Sequence, residues 1–215
     1  VGAALMVASP ILPIQGGAYL SYLFTLGLGL LFGTLLLNGL RTARMVRVVL
    51  AGVLLGWIFM TRPYDAVLWG AAFGTYALVR GGWAAWRRAV VPRLVGALAA
   101  VPLIMLTLAY NQRGTGSWLG FPITTADPLD TFGFGPRRLM PGFPITDYGL
   151  FTAVKATAKN AFLLPWFLVG GYAGLALAGA GLWQRRRERA TVALLLVAAV
   201  FPIGYFVFWG NHQSS

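Results

Sequence analysis

Ordinary charge is scarce in this chain: 17 basic residues and five acids among 215. Three of the acids, Asp127, Asp130 and Asp147, fall in a single polar stretch, 111–160. A carboxylate held in place can take a proton from a hydroxyl acceptor, so these three and Asp65 are the candidate acid–base residues. Within the same stretch Gly133-Phe134-Gly135-Pro136 leads into Arg137-Arg138. Two adjacent guanidinium groups on a rigid turn offer forked donors that match a phosphate or diphosphate. Pairing with Asp127 or Asp130, to hold the stretch together, is equally open to them. Lys155 and Lys159 share a helix face by their spacing and would meet phosphate on lipid headgroups in general or on one lipid substrate. Arg62 and Asp65 form a second pair, able to meet at i,i+3 if Pro63 begins a helix. Such a pair in apolar surroundings is a functional candidate or a structural latch.

No cysteine and one histidine, His212, exclude a disulfide framework, thiol chemistry and a His/Cys zinc site. No metal-ligating residues are singled out, dependence on a divalent metal stays open, and no dinucleotide fingerprint surrounds Gly133-Phe134-Gly135.

The elements that must position these groups are apolar. The chain is 58% hydrophobic and 10% charged, with a mean hydropathy of +0.73. A soluble domain carries about 25% charged residues, so a membrane protein is expected, built of helices because the apolar runs lack two-residue alternation. Spans are expected over 1–14, 18–37, 48–60, 66–79, 94–110, 162–183 and 191–209, with a turn at Gln15-Gly16-Gly17. The fold class is therefore all-α: a polytopic transmembrane helical domain over 1–215 with one structured extracytoplasmic loop, 111–160. Trp57, Trp69, Trp118, Trp166, Trp183 and Trp209 are read as interfacial anchors. Gly27, Gly29, Gly33, Gly170, Gly171 and Gly174 are read as close-packing positions.

Charge fixes the orientation. With the connections at 41–47, 80–93 and 184–189 on the cytoplasmic side, that side holds eleven basic residues and one acid, and the other side six and four. Seven crossings then alternate in accord with the positive-inside rule, placing 111–160 outside a cytoplasmic (inner) membrane. The net charge of +12 belongs to these connections, and no nucleic-acid partner is expected. The chain opens inside an apolar run at Val1 and stops at Ser215, and is expected to be the interior of a longer polypeptide.

The outer loop has its own apolar anchors (Trp118, Phe121, Phe132, Phe134, Phe143 and Tyr148) and turns fixed by Gly-Pro pairs. Gly-Phe-Pro-Ile-Thr occurs twice, at 120–124 and 142–146, and is read as a reused turn. Asp147 precedes an amphipathic run, 148–160, and stands where a helix cap would.

Ser9-Pro10, a polar turn and long span, Arg41 and Arg44, then Thr61-Arg62-Pro63 follow an order that resembles bacterial polytopic glycosyltransferases of the GT-C superfamily. The nearest group is the protein mannosyltransferase and aminoarabinose transferase-like one. Tyr110-Asn111, Phe121-Pro122, Asp127-Pro128, Asp130 and Gly133-Phe134-Gly135 are similar to an outer-loop pattern in that group. The resemblance implies transfer of a sugar from a polyprenyl-phosphate donor to a glycan, lipid or protein acceptor on the outer face, among membrane lipids. It implies inversion at the anomeric carbon, with cationic groups holding the departing phosphate: Arg137, Arg138 and Arg62, with Lys155 and Lys159 behind them. In that superfamily the catalytic acid lies in the first outer loop. No acid here precedes Asp65, so the catalytic acid is expected outside this chain. The alternatives are a transporter or flippase for a lipid-linked or anionic substrate, and a non-catalytic membrane subunit that displays the loop.

Overall fold

The computed structural model describes residues 22–138, 141–168 and 171–207. The expected span over 1–14, the turn at 15–17, Gly170, Trp209 and His212 lie outside them. Eight helices and one two-stranded sheet occur among the described residues. They are α1 (Tyr22–Thr42), α2 (Met45–Thr61), α3 (Pro63–Arg88), α4 (Val90–Thr115), α5 (Pro122–Ala126), β1 (Gly135–Arg137), β2 (Thr146–Tyr148), α6 (Leu150–Leu168), α7 (Tyr172–Gln184) and α8 (Arg189–Tyr205).

Two helices, α1 and α4, are long and apolar enough to cross a membrane, and α2 and α8 are shorter apolar helices. Of the apolar windows in α1 and α4 only 33% and 11% of residues are buried, far less than a helix at the centre of a water-soluble core would show. Leu94, Leu98 and Leu106 of α4 all face outward.

Contacts divide the described residues into two units: 22–109 with 187–200, and 110–186 with 201–207. In the first, α1 packs on α2, and both pack on α3. Between α1 and α2 the chain reverses through Ala43, whose φ of 53° lies in the left-handed region. Small residues then let the helices approach. Trp69 and Phe73, one turn apart on α3, lie over Gly29 and Gly33 of α1, where any Cβ would run into their rings. Trp69 is 2% exposed. It is a packing residue rather than the interfacial anchor expected, because its ring fills the groove that the two glycines leave. Gly27, by contrast, meets nothing. A second close approach joins α2 to α4: a Cβ on Gly52 would strike the Gly96 carbonyl, and one on Gly56 would lie 2.8 Å from the Ala100 carbonyl oxygen.

The expected descent over 66–79 extends to Arg88, with Gly82 breaking helical geometry on the way (φ 64°, ψ −167°). The single span expected over 162–183 is two helices. α6 already begins at Leu150, and α7 begins after Gly171, whose φ is 94°. There the Tyr172 hydroxyl reaches back to donate to the Phe162 carbonyl at 2.8 Å, and its ring meets those of Phe162 and Trp166.

Candidate functional site: a polar cap and a buried ion pair

The cap starts where α4 runs out. Asn111 is 2% exposed, and its Nδ2 donates to the Trp118 carbonyl at 3.5 Å. The Thr115 hydroxyl lies 2.9 Å from the Asn111 carbonyl, 3.1 Å from that of Ser117 and 3.0 Å from that of Gly120. The turn is thus closed on the last residue of the helix. Next come the two Gly-Phe-Pro-Ile-Thr copies, which fold differently. In the first, Pro122 starts the short helix α5, with Thr124 and Thr125 both donating to the Phe121 carbonyl. In the second, Phe143 to Ile145 stay non-helical and Thr146 begins β2. A shared turn is not what the repeat encodes, because pairing with β1 captures the second copy.

Asp127 is 2% exposed. Its Oδ1 accepts from the Leu129 amide at 3.0 Å, closing an Asx turn around Pro128. Arg138 clasps the same carboxylate with two donors, Nε at 2.5 Å and Nη2 at 3.2 Å. Hydrogen bonding from Arg138 holds the Asp127 carboxyl below the usual carboxylate range, and the carboxylate pushes the Arg138 guanidinium up in turn. Arg137 is held differently. Its Nε donates to the Gly133 carbonyl at 3.2 Å, Nη1 to Pro136 at 3.0 Å, and Nη2 to Phe132 at 2.9 Å and Phe134 at 2.8 Å. Four carbonyls can converge on one guanidinium because Gly133 and Gly135 take φ of 93° and 119°, which a side chain would resist. In this geometry both arginines are committed to the cap.

The strands close it. β1 and β2 pair antiparallel, with Gly135 opposite Tyr148, Pro136 opposite Asp147 and Arg137 opposite Thr146. Tyr148 is fully buried. It stacks on Phe134 with ring centres 5.9 Å apart, and its hydroxyl donates to the Phe206 carbonyl at 3.0 Å. Burial pushes that phenol up from its ordinary value. The Gly133 amide adds a bond to the Val207 carbonyl at 2.9 Å. The cap is therefore fastened to the chain just beyond the end of α8.

Asp147 does not cap a helix. It sits exposed in β2, and α6 begins after Gly149, whose carbonyl accepts the first helical bond from Ala153. Asp130 is buried and has partners within the structure. Lys155 is exposed and Lys159 half-buried on α6.

Arg62 and Asp65 belong to the other unit. As Pro63 predicts, the proline occupies the first turn of α3, and Arg62 Nε meets Asp65 Oδ2 at 2.7 Å. The acid lies at the positive end of the helix dipole and its side chain is 8% exposed. The Tyr22 ring lies 3.9 Å below the Arg62 guanidinium carbon. Thr25 and Thr61 meet alongside at 3.4 Å. Tyr22 and Thr25 escaped the sequence reading; their one-turn neighbourhood on α1 is the signal that was there to find.

No cluster of three metal-ligating side chains occurs among the described residues. Compared with models of known families, with curated proteins and with solved structures, the chain matches none.

Proposed function

We propose that this chain is the multi-pass membrane part of a glycosyltransferase that moves a sugar from a polyprenyl-phosphate donor to an acceptor outside a cytoplasmic membrane. The observation that carries the reading is the Arg62–Asp65 pair at the start of α3, 2.7 Å apart with the acid side chain 8% exposed. Ionisable groups in such surroundings are costly to keep, and their default meaning is function. A guanidinium at this place can meet a departing lipid phosphate while the prenyl chain stays among apolar helices. The motif resemblance noted for Thr61-Arg62-Pro63 points the same way.

The orientation is supported by the cap's attachment to Phe206 and Val207, past the C-terminal end of α8. The turn at 185–187 precedes that helix.

Residue roles follow from what each group already touches. Arg62 is assigned to the donor phosphate. Arg137 and Arg138 hold the cap in shape. Of the four carboxylates considered, Asp147 alone is exposed and so is the one whose loss would test base catalysis without loss of structure. The same buried pair would serve a flippase, which translocates the donor and leaves its sugar in place.

The test is sugar transfer by purified protein in vesicles holding a radiolabelled polyprenyl-phosphate sugar. Arg62→Lys, which keeps the charge and removes the fork, is expected to lower turnover by ~10²-fold, the scale of one lost transition-state donor. Translocation of the donor with no sugar released would replace the transferase by the flippase. Release of the protein from membranes by alkaline carbonate would remove both.

A further inference from the structure

At the opposite end of the same helical unit from Arg62 lies a cation with no role in the reading above. Arg93 stands in the first turn of α4, with Nη1 donating weakly to the Trp86 carbonyl at 3.4 Å. Its Nε and Nη2 are buried and have no hydrogen-bond partner among the described residues. The side chain borders a cavity of about 120 Å³ lined by Phe32 and Leu36 of α1, Leu55 of α2, Gly70 and Gly74 of α3, and Gly96 of α4. Gly70 and Gly74, one turn apart, have nothing within 4 Å of where a Cβ would stand, so the space is made by missing side chains. Apolar cavities of comparable size, ~150 Å³, stay dry and accept small hydrocarbons. A half-buried guanidinium with two buried, unpaired donors beside such a space lacks one thing, an anion.

We propose that this is a binding site for an anionic phospholipid, with the phosphate on Arg93 and the first part of an acyl chain in the cavity. The surrounding charge favours that occupant. Arg41 closes α1, Arg44 and Arg47 open α2, and Arg87 and Arg88 end α3. The acid of these four helices, Asp65, is at the other end of α3. A basic rim of this kind draws anionic lipid to the cytoplasmic leaflet; Arg93 and the cavity then retain one molecule. The site rests on membrane embedding and not on sugar transfer.

The experiment is native mass spectrometry of the detergent-purified full chain titrated with dioleoyl phosphatidylglycerol, phosphatidylcholine or inorganic phosphate. One phosphatidylglycerol per chain should be retained, with phosphatidylcholine and inorganic phosphate at least about tenfold weaker. Arg93→Gln should weaken retention about tenfold, and so should Gly74→Leu, which fills the cavity and leaves the cation in place. Arg93→Lys should keep most of the binding and reports that the position tolerates change. Arg87→Gln with Arg88→Gln should alter it less than about twofold. Undiminished binding in either cavity variant overturns the site. Equal binding of inorganic phosphate overturns the lipid as occupant, and loss in the Arg87/Arg88 variant reduces it to surface attraction. Failure here leaves the transferase reading untouched, since that is judged by sugar release.

Discussion

The polar cap and the glycine-packed helices are held together by opposite means. In the helical unit the contacts are of shape: Trp69 and Phe73 lie in the groove left by Gly29 and Gly33, and backbone meets backbone at Gly52 and Gly96. In the cap they are of charge and hydrogen bonding, with Arg138 clasping Asp127 and four carbonyls turned onto Arg137. The difference follows from composition. Where small residues line both facing helices, association depends on how closely their surfaces fit. The cap holds Asp127, Asp130 and Asp147, and charge-assisted bonds set its shape beside the stacked Phe134–Tyr148 pair.

Substitutions should separate the two regions, the largest effect first. Gly52→Leu places a side chain against a neighbouring backbone that cannot step aside, and should reach or exceed the top of the ~1–3 kcal/mol usual for overpacking. The measure is loss of monodisperse protein on extraction, with the equivalent Gly27→Leu as the tolerated control, since Gly27 faces open space. Arg137→Lys should open the cap and leave the helices intact, because an ammonium cannot reach four carbonyls arranged around a planar fork. Limited proteolysis between 116 and 145 would accelerate while helical circular dichroism stayed constant; unchanged cleavage would show that the cage is not what orders the loop.

Acid should loosen the cap. Asp127 has a folded pKa below its unfolded value, so its contribution is complete above about pH 3.9 and is lost as pH falls through the lower folded value. Amide exchange in the cap should therefore be flat from pH 7 to about pH 4, after correction for intrinsic rates, and rise below that. Asp127→Asn should remove the acid transition. The smallest effect expected is that of Tyr148→Phe, which deletes the bond to Phe206 and keeps the stacked ring, about 1 kcal/mol by thermal melting.

Much of the helical scaffold was legible because it rests on composition and period. The Arg62–Asp65 pairing was legible too, since Pro63 sets a helix start and the start sets the spacing. What escaped depended on partners distant in sequence. Asp147 reads locally as a cap, yet its backbone pairs with Pro136 and places it in a strand. Gly52, Gly56 and Gly96 look like any other glycines until the register of α2 against α4 is known. Arg137 suggests a phosphate ligand by residue type, but backbone carbonyls, which carry no signature in sequence, take its donors first. The span over 162–183 broke because hydropathy does not register the left-handed turn at Gly171.

The central claim is that the cap and the 184–189 turn face opposite sides of one membrane, and the absence of native cysteine makes it directly measurable. Ser117→Cys and Gln184→Cys, each alone, would be treated with a membrane-impermeant maleimide in sealed right-side-out vesicles. Labelling at position 117 in sealed vesicles, and at 184 only after the membrane is permeabilised, is the predicted result. Labelling of both positions in sealed vesicles would contradict the account.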